Sequence, residues 1–97
     1  MFAVIYKFII KENTESQFVD SWINLTQLIR IHEGGLGSRL HRVKKNTFIA
    51  YAQWPNEETW KSSGNKLPPS GIDIKLKMRD CCESIDVKNT LQIIKNP

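Results

Sequence analysis

The sequence predicts an α+β domain: an antiparallel four-stranded sheet with helices on one face, in the β-α-β-β-α-β order of the ferredoxin-like split βαβ arrangement. Three observations carry this. Phe2 to Ile10 is rich in β-branched and aromatic residues, which pack well on a pleated surface. Phe18, Trp22, Leu25 and Ile29 recur at spacings of three and four, which places them on one stripe of a helix. From Glu33 to Trp60 the chain reads as a helix end, a double glycine, a strand, a short turn, a second strand, a Trp-Pro stop and a new helix start.

The elements follow in order. The first strand has Phe2, Val4, Tyr6, Phe8 and Ile10 on one face and Ala3, Ile5, Lys7 and Ile9 on the other. Lys11 to Asn13 forms a turn, and Thr14 with Gln17 is expected to make a capping box at the start of the first helix. Gly34 and Gly35 stop that helix, because glycine accepts the left-handed conformation at a C-cap. Leu36 to Val43 is the second strand, Lys44 to Asn46 the turn, and Thr47 to Trp54 the third strand. Phe48, Ala50, Ala52 and Trp54 share one face of it; Ile49, Tyr51 and Gln53 share the other. Asn56 caps a short helix whose first turn carries Glu57 and Glu58. Leu67-Pro68-Pro69 breaks the chain, Ser70 is expected to cap a further helix running to about Glu83, and Thr90 to Lys95 is expected to be the last strand.

Ninety-seven residues make a single domain, 1–97, with a modest core. An apolar fraction of 40% and a charged fraction of 25% are ordinary for a globular chain. No apolar run is long enough to span a bilayer. Lys7 interrupts the apolar opening and no small-residue cleavage site follows, so the opening reads as a strand rather than a signal peptide, which favours the cytoplasm. Cys81 and Cys82 are adjacent and make no disulfide framework; they fit a reducing compartment, and no metal site is expected around them. The net charge of +4 is scattered, with Lys44 and Lys45 in a turn and Lys75, Lys77 and Arg79 on a helix, and reads as solvated surface rather than as a nucleic-acid stripe. An RNA-recognition module has the same element order, but its stacking pair must share a face, and here the residue two after Phe48 is Ala50. The double glycine is not a phosphate loop, since no strand–glycine-rich turn–helix surrounds it.

Helices cover one sheet face and leave a second apolar face without cover. A second copy of the chain, packed sheet to sheet, is the simplest partner. A two-sided sheet flanked by aromatic and imidazole groups is also a place to hold a small apolar or aromatic ligand.

The run Ile31-His32-Glu33-Gly34-Gly35-Leu36-Gly37-Ser38, its continuation Arg39-Leu40-His41-Arg42, Ala50-Tyr51-Ala52-Gln53-Trp54-Pro55, Trp60 and the opening Ala3-Val4-Ile5-Tyr6 resemble the antibiotic biosynthesis monooxygenase domain of the dimeric α/β-barrel superfamily. The resemblance covers most of the chain. It implies a homodimer whose two sheets form a barrel, with a cleft between sheet and helices in each subunit. Some members of that family oxidise phenolic aromatics with dioxygen and neither metal nor flavin, others degrade haem, and many have no known reaction. Trp54 matches the tryptophan that lines the pocket of several members. The haem-degrading members use a histidine after the third strand and an asparagine in the first; this chain has no histidine after His41 and no asparagine in its first strand.

The candidate residues each have two readings. Trp54 beside Ala50 and Ala52 either lines a pocket or packs in the core. Trp22, in the helix stripe, belongs to core or pocket wall. Tyr6 and Tyr51 carry hydroxyls that orient a phenol or sit at a dimer seam. His32 complements a helix C-terminus, and His41 is a candidate general base. Arg39 shares the His41 face. The catalytic candidates are therefore Tyr6, His41 and His32, and the substrate-binding candidates Trp54, Trp22, Tyr51 and Arg39, with no cofactor, nucleic acid or membrane expected. Two functions follow: a cofactor-independent monooxygenase of a small phenolic or quinol-like substrate, or a non-catalytic homodimer that binds a small molecule or supports another protein.

Overall fold

In the computed structural model, which describes residues 1–97, the chain folds as β1 (Phe2–Ile10), α1 (Glu15–His32), β2 (Gly37–Lys44), β3 (Thr47–Trp54), α2 (Glu57–Lys61), α3 (Pro69–Asp80) and β4 (Cys82–Gln92). The sheet order is β2-β3-β1-β4, and every neighbouring pair is antiparallel. β1 and β3, the most apolar strands, take the two central places. The fold is the ferredoxin-like α+β arrangement, with α1 and α3 packed side by side over one face.

Register fixes which residues the helices cover. Phe2 pairs with Trp54, Val4 with Ala52, Tyr6 with Ala50 and Phe8 with Phe48, so all eight side chains share the helix face. Ile5 pairs with Tyr51 and Lys7 with Ile49 on the opposite face, which no element of the chain covers. The helix stripe seats its first member, Phe18, between Phe8 and Phe48 at ring-centroid distances of 5.2 and 5.4 Å. Both are aromatic contacts that add to simple area burial. Leu25, Met78 and Cys81 complete this core, and a smaller cluster of Phe2, Val4 and Trp54 lies at the other end of the sheet.

Four local expectations change. Thr14 does not form a capping box: its hydroxyl donates to the Lys11 and Cys81 carbonyls at 2.7 and 3.3 Å, tying the β1–α1 turn to the end of α3. The last long helix is not capped by Ser70 but begins at Pro69, whose missing N–H costs nothing at a first helical position, and it ends at Asp80 rather than Glu83. The last strand is Cys82–Gln92 instead of Thr90–Lys95, because β1 offers its free edge directly after α3 and backbone pairing overrides a weakly apolar sequence. β2 runs from Gly37 to Lys44, one residue later than expected, and its outward side chains Arg39 and His41 are exposed, so the strand is less two-sided than it reads. The Asn56 cap forms as expected, its Oδ1 accepting from the Thr59 amide at 2.8 Å. Asn46 turns the hairpin at φ +61°, a conformation asparagine tolerates well.

Candidate functional site

A cavity of about 510 Å³ lies between the helix layer and the sheet. Its origin is legible in the pairing. β3 presents Ala50 and Ala52 where α1 crosses above them, and two alanines fill less of the interlayer gap than Phe48 and Trp54 on either side. Trp22, Leu25 and Ile29 form the α1 wall, Met78 the α3 wall, and Ile85 and Val87 the β4 wall. Ser63, Gly64 and Leu67, from the segment joining α2 to α3, close part of the rim.

Trp54 and Tyr6 supply its central polar groups. Trp54 is 4% exposed, and its Nε1 is a buried donor with no hydrogen-bond partner. Such a group is costly to leave unpaired and is rare in folded chains. The Ile29 side chain and the Trp54 ring come so close to Gly35 that a Cβ there would stand 2.8 Å from Ile29 Cγ2 and 3.7 Å from the Trp54 ring. Glycine is needed at that point for space, not for a special backbone angle. Tyr6 is half-buried, and its hydroxyl oxygen accepts from Trp60 Nε1 at 2.8 Å. The phenolic proton takes no part in that bond. Burial pushes the Tyr6 phenol up, against a smaller lowering by the Trp60 bond, so Tyr6 stays a neutral donor and not a phenolate base.

The rim is held by a residue that the sequence reading passed over. Glu33 caps the end of α1 and is 6% exposed; its Oε2 accepts from the Gly64 amide and its Oε1 from the Lys66 amide, each at 2.7 Å. These are charge-assisted bonds, the stronger class. Gly64 sits at φ +100°, in the region that glycine favours. Nothing in a lone glutamate after a helix signals this role, because its partners lie thirty residues downstream on a loop.

The seven candidate residues fall in three places. Tyr6, Trp22 and Trp54 meet at the cavity. Tyr51, Arg39 and His41 stand on the opposite sheet face, because Arg39 pairs with Tyr51 and His41 with Ile49 in the outward half of the pleat. His41 is exposed, and its Nδ1–H donates to the Ile49 carbonyl at 3.3 Å. His32 is exposed in the last turn of α1 and does not line the cavity. Tyr51 and Arg39 thus stand apart from Trp54, and neither histidine lines this cavity. Period-two alternation already puts Tyr51 and Trp54 on opposite faces. Lys75 and Arg79, read as solvated surface, also line the cavity with Arg30; Arg30 and Arg79 are exposed at its edge and Lys75 is half-buried. Their spacing of four was the available signal.

No helix is long and apolar enough to cross a membrane, and no group of three or more His, Cys, Asp or Glu side chains gathers to hold a metal ion. No family model and no curated protein matches the sequence. The fold does match solved structures. SnoaB, a cofactor-independent oxygenase from Streptomyces nogalater, superposes with a TM-score of 0.78 at 11% identity, over 98% of this chain and 94% of that one. An antibiotic biosynthesis monooxygenase superposes with a TM-score of 0.75 at 14% identity, over 98% of this chain and 100% of that one. A conserved protein from Methanosarcina mazei gives 0.75 at 13% identity, over 94% and 90%. The chain thus has the fold of the antibiotic biosynthesis monooxygenase-like proteins along essentially its whole length, at only 11–14% sequence identity to these examples.

Proposed function

We propose that the protein is a homodimeric, cofactor-independent monooxygenase of the antibiotic biosynthesis type, acting on a small electron-rich aromatic substrate. The observation that carries this is a cavity of about 510 Å³ between helices and sheet, large enough for a fused-ring molecule and lined by Trp22, Trp54 and Tyr6. The Tyr6 hydroxyl, whose proton is not used in its bond to Trp60, is a donor suited to an oxygen atom on the substrate. In the proposed reaction an activated methylene is oxidised by dioxygen to a carbonyl with release of water, R2CH2 + O2 → R2CO + H2O. The methylene proton passes to solvent water and the resulting substrate anion supplies the electrons, so the protein's part is to hold the oxygen-bearing edge of the ring against a fixed donor. Tyr6, kept protonated by burial, steadies the developing anion. The dimer forms through the uncovered face of Ile5, Ile49 and Tyr51, and its two free thiols suit the cytoplasm.

A second reading, binding without chemistry, is favoured by one observation: no histidine, aspartate or glutamate lines the cavity, so no side chain there is an ordinary general base. Dioxygen uptake by purified protein with a panel of anthrones, hydroquinones and catechols separates the two, with heat-denatured protein correcting for autoxidation. Saturable acceleration that falls at least about tenfold in Trp54→Phe and Tyr6→Phe supports the oxygenase. Ligand-induced quenching of tryptophan fluorescence without uptake assigns the binding role. Light scattering coupled to gel filtration tests the dimer, and Tyr51→Asp is expected to yield monomers.

A further inference from the structure

The charge on the cavity wall is of one sign. Arg30 from α1 and Lys75 and Arg79 from α3 all line it, and no acidic side chain does. None of the three takes part in a salt bridge, although Arg42, Lys45 and Lys61 elsewhere on the chain each find a carboxylate. Lys75 and Arg79 are four apart, so α3 turns both toward the same side, while Lys77 between them lines a different, mainly polar depression on the other side of the helix. Their placement is local and specific. Lys75 Nζ lies 3.6 Å from where a Cβ on Gly64 would stand, at the rim segment, and Arg30 Cδ lies 3.9 Å from the corresponding point on Gly37. The Glu33 carboxylate makes no salt bridge with any of the three; its two oxygens accept from the Gly64 and Lys66 amides. The same cavity has an apolar wall that includes Trp22, Ile29 and Trp54.

We infer that the cavity selects an aromatic acid: a flat apolar body held between Trp22, Ile29 and Trp54, bearing one carboxylate that meets Arg30, Lys75 and Arg79. Guanidinium forks match the two oxygens of a carboxylate, which distinguishes this group from a single phenolic oxygen. The inference rests on the cavity being the ligand site and adds the charge of the ligand to that reading.

A matched pair of probes tests it: 2-naphthoate and its neutral near-isostere 2-naphthamide, titrated at low ionic strength and followed by tryptophan fluorescence and calorimetry. Naphthoate is expected to bind on the order of tenfold tighter than naphthamide, with the preference shrinking as salt screens the charges. The triple variant Arg30→Gln, Lys75→Gln, Arg79→Gln is expected to lose the preference and bind the two probes alike, and an unchanged melting temperature verifies its fold. Equal binding of the two probes by the wild type overturns the inference and leaves the cavity as the ligand site. A preference that survives in the triple variant also overturns it, since the charge recognition then lies elsewhere. Failure of both probes to bind overturns the inference together with the reading of the cavity on which it rests.

Discussion

Removing the Glu33 carboxylate unlatches the cavity rim. In Glu33→Ala the amides of Gly64 and Lys66 lose acceptors at 2.7 Å, and no other side chain accepts from either. A hydrogen bond to a charged group contributes about 1.5–3 kcal/mol net, so two intact bonds suggest about 3–6 kcal/mol. The segment lies at the surface, however, and its freed amides can bond to water once it lifts. The loss is therefore set by local opening and comes to about 2 kcal/mol, a factor of about 30 in the opening equilibrium of the rim. Glu33→Gln keeps the shape but offers one oxygen and one NH2, so it accepts from one amide and opposes the other. Native-state hydrogen exchange reads the two amides directly. Protection of Gly64 and Lys66 is expected to fall about 30-fold in Glu33→Ala, while the amides of β1 keep theirs. In Glu33→Gln only one of the two should fall that far. Unchanged protection at both positions in Glu33→Ala would refute the latch, and equal loss at both in Glu33→Gln would show that charge, rather than acceptor geometry, holds the rim.

Other predictions follow from single contacts. Gly35→Ala places a methyl 2.8 Å from Ile29 Cγ2, and a β-branched methyl cannot swing aside; denaturant unfolding should show a loss of about 1–3 kcal/mol, largely cancelled when Ile29→Ala is added. Arg42 holds the Glu15 carboxyl below its ordinary value of 4.5, chiefly through their hydrogen bonds. A depressed carboxylate stabilises the fold above its unfolded pKa and loses that contribution as pH falls through the folded one, so thermal melts of the wild type and Glu15→Gln should differ at neutral pH and converge in acid below that ordinary value. Because the pair is exposed, the difference should also shrink in high salt. Burial first, and the Cys81 thiol second, push Cys82 up to about 11, and its Sγ donates to the Met78 carbonyl at 3.2 Å. Alkylation by iodoacetamide at pH 8 should therefore be about 100-fold slower than for a free thiol of ordinary pKa, and denaturation should restore the ordinary rate.

The residues alone determined the architecture. Alternation in Phe2–Ile10 and Thr47–Trp54 assigned every side chain of the two central strands to a face, and the observed register keeps those assignments. The stripe from Phe18 to Ile29 faces the core as its spacing requires. Local periodicity is a property of the backbone geometry, so it survives without tertiary information. Tyr6, Trp22 and Trp54 were legible for the same reason, each lying on an inward face.

Only the tertiary structure decided the rest, where identity depends on a distant neighbour. β4 is a strand because β1 offers it an edge, not because Cys82–Gln92 is apolar. Thr14 donates to the Lys11 and Cys81 carbonyls instead of capping its own helix, and the second of these is brought to it only by the fold. Glu33 becomes a latch only once the Ser62–Leu67 segment folds back over it, and Lys75 and Arg79 become cavity residues only once α3 lies beside α1. Long-range contacts convert ordinary surface residues into a site, and a one-dimensional pattern carries no term for them.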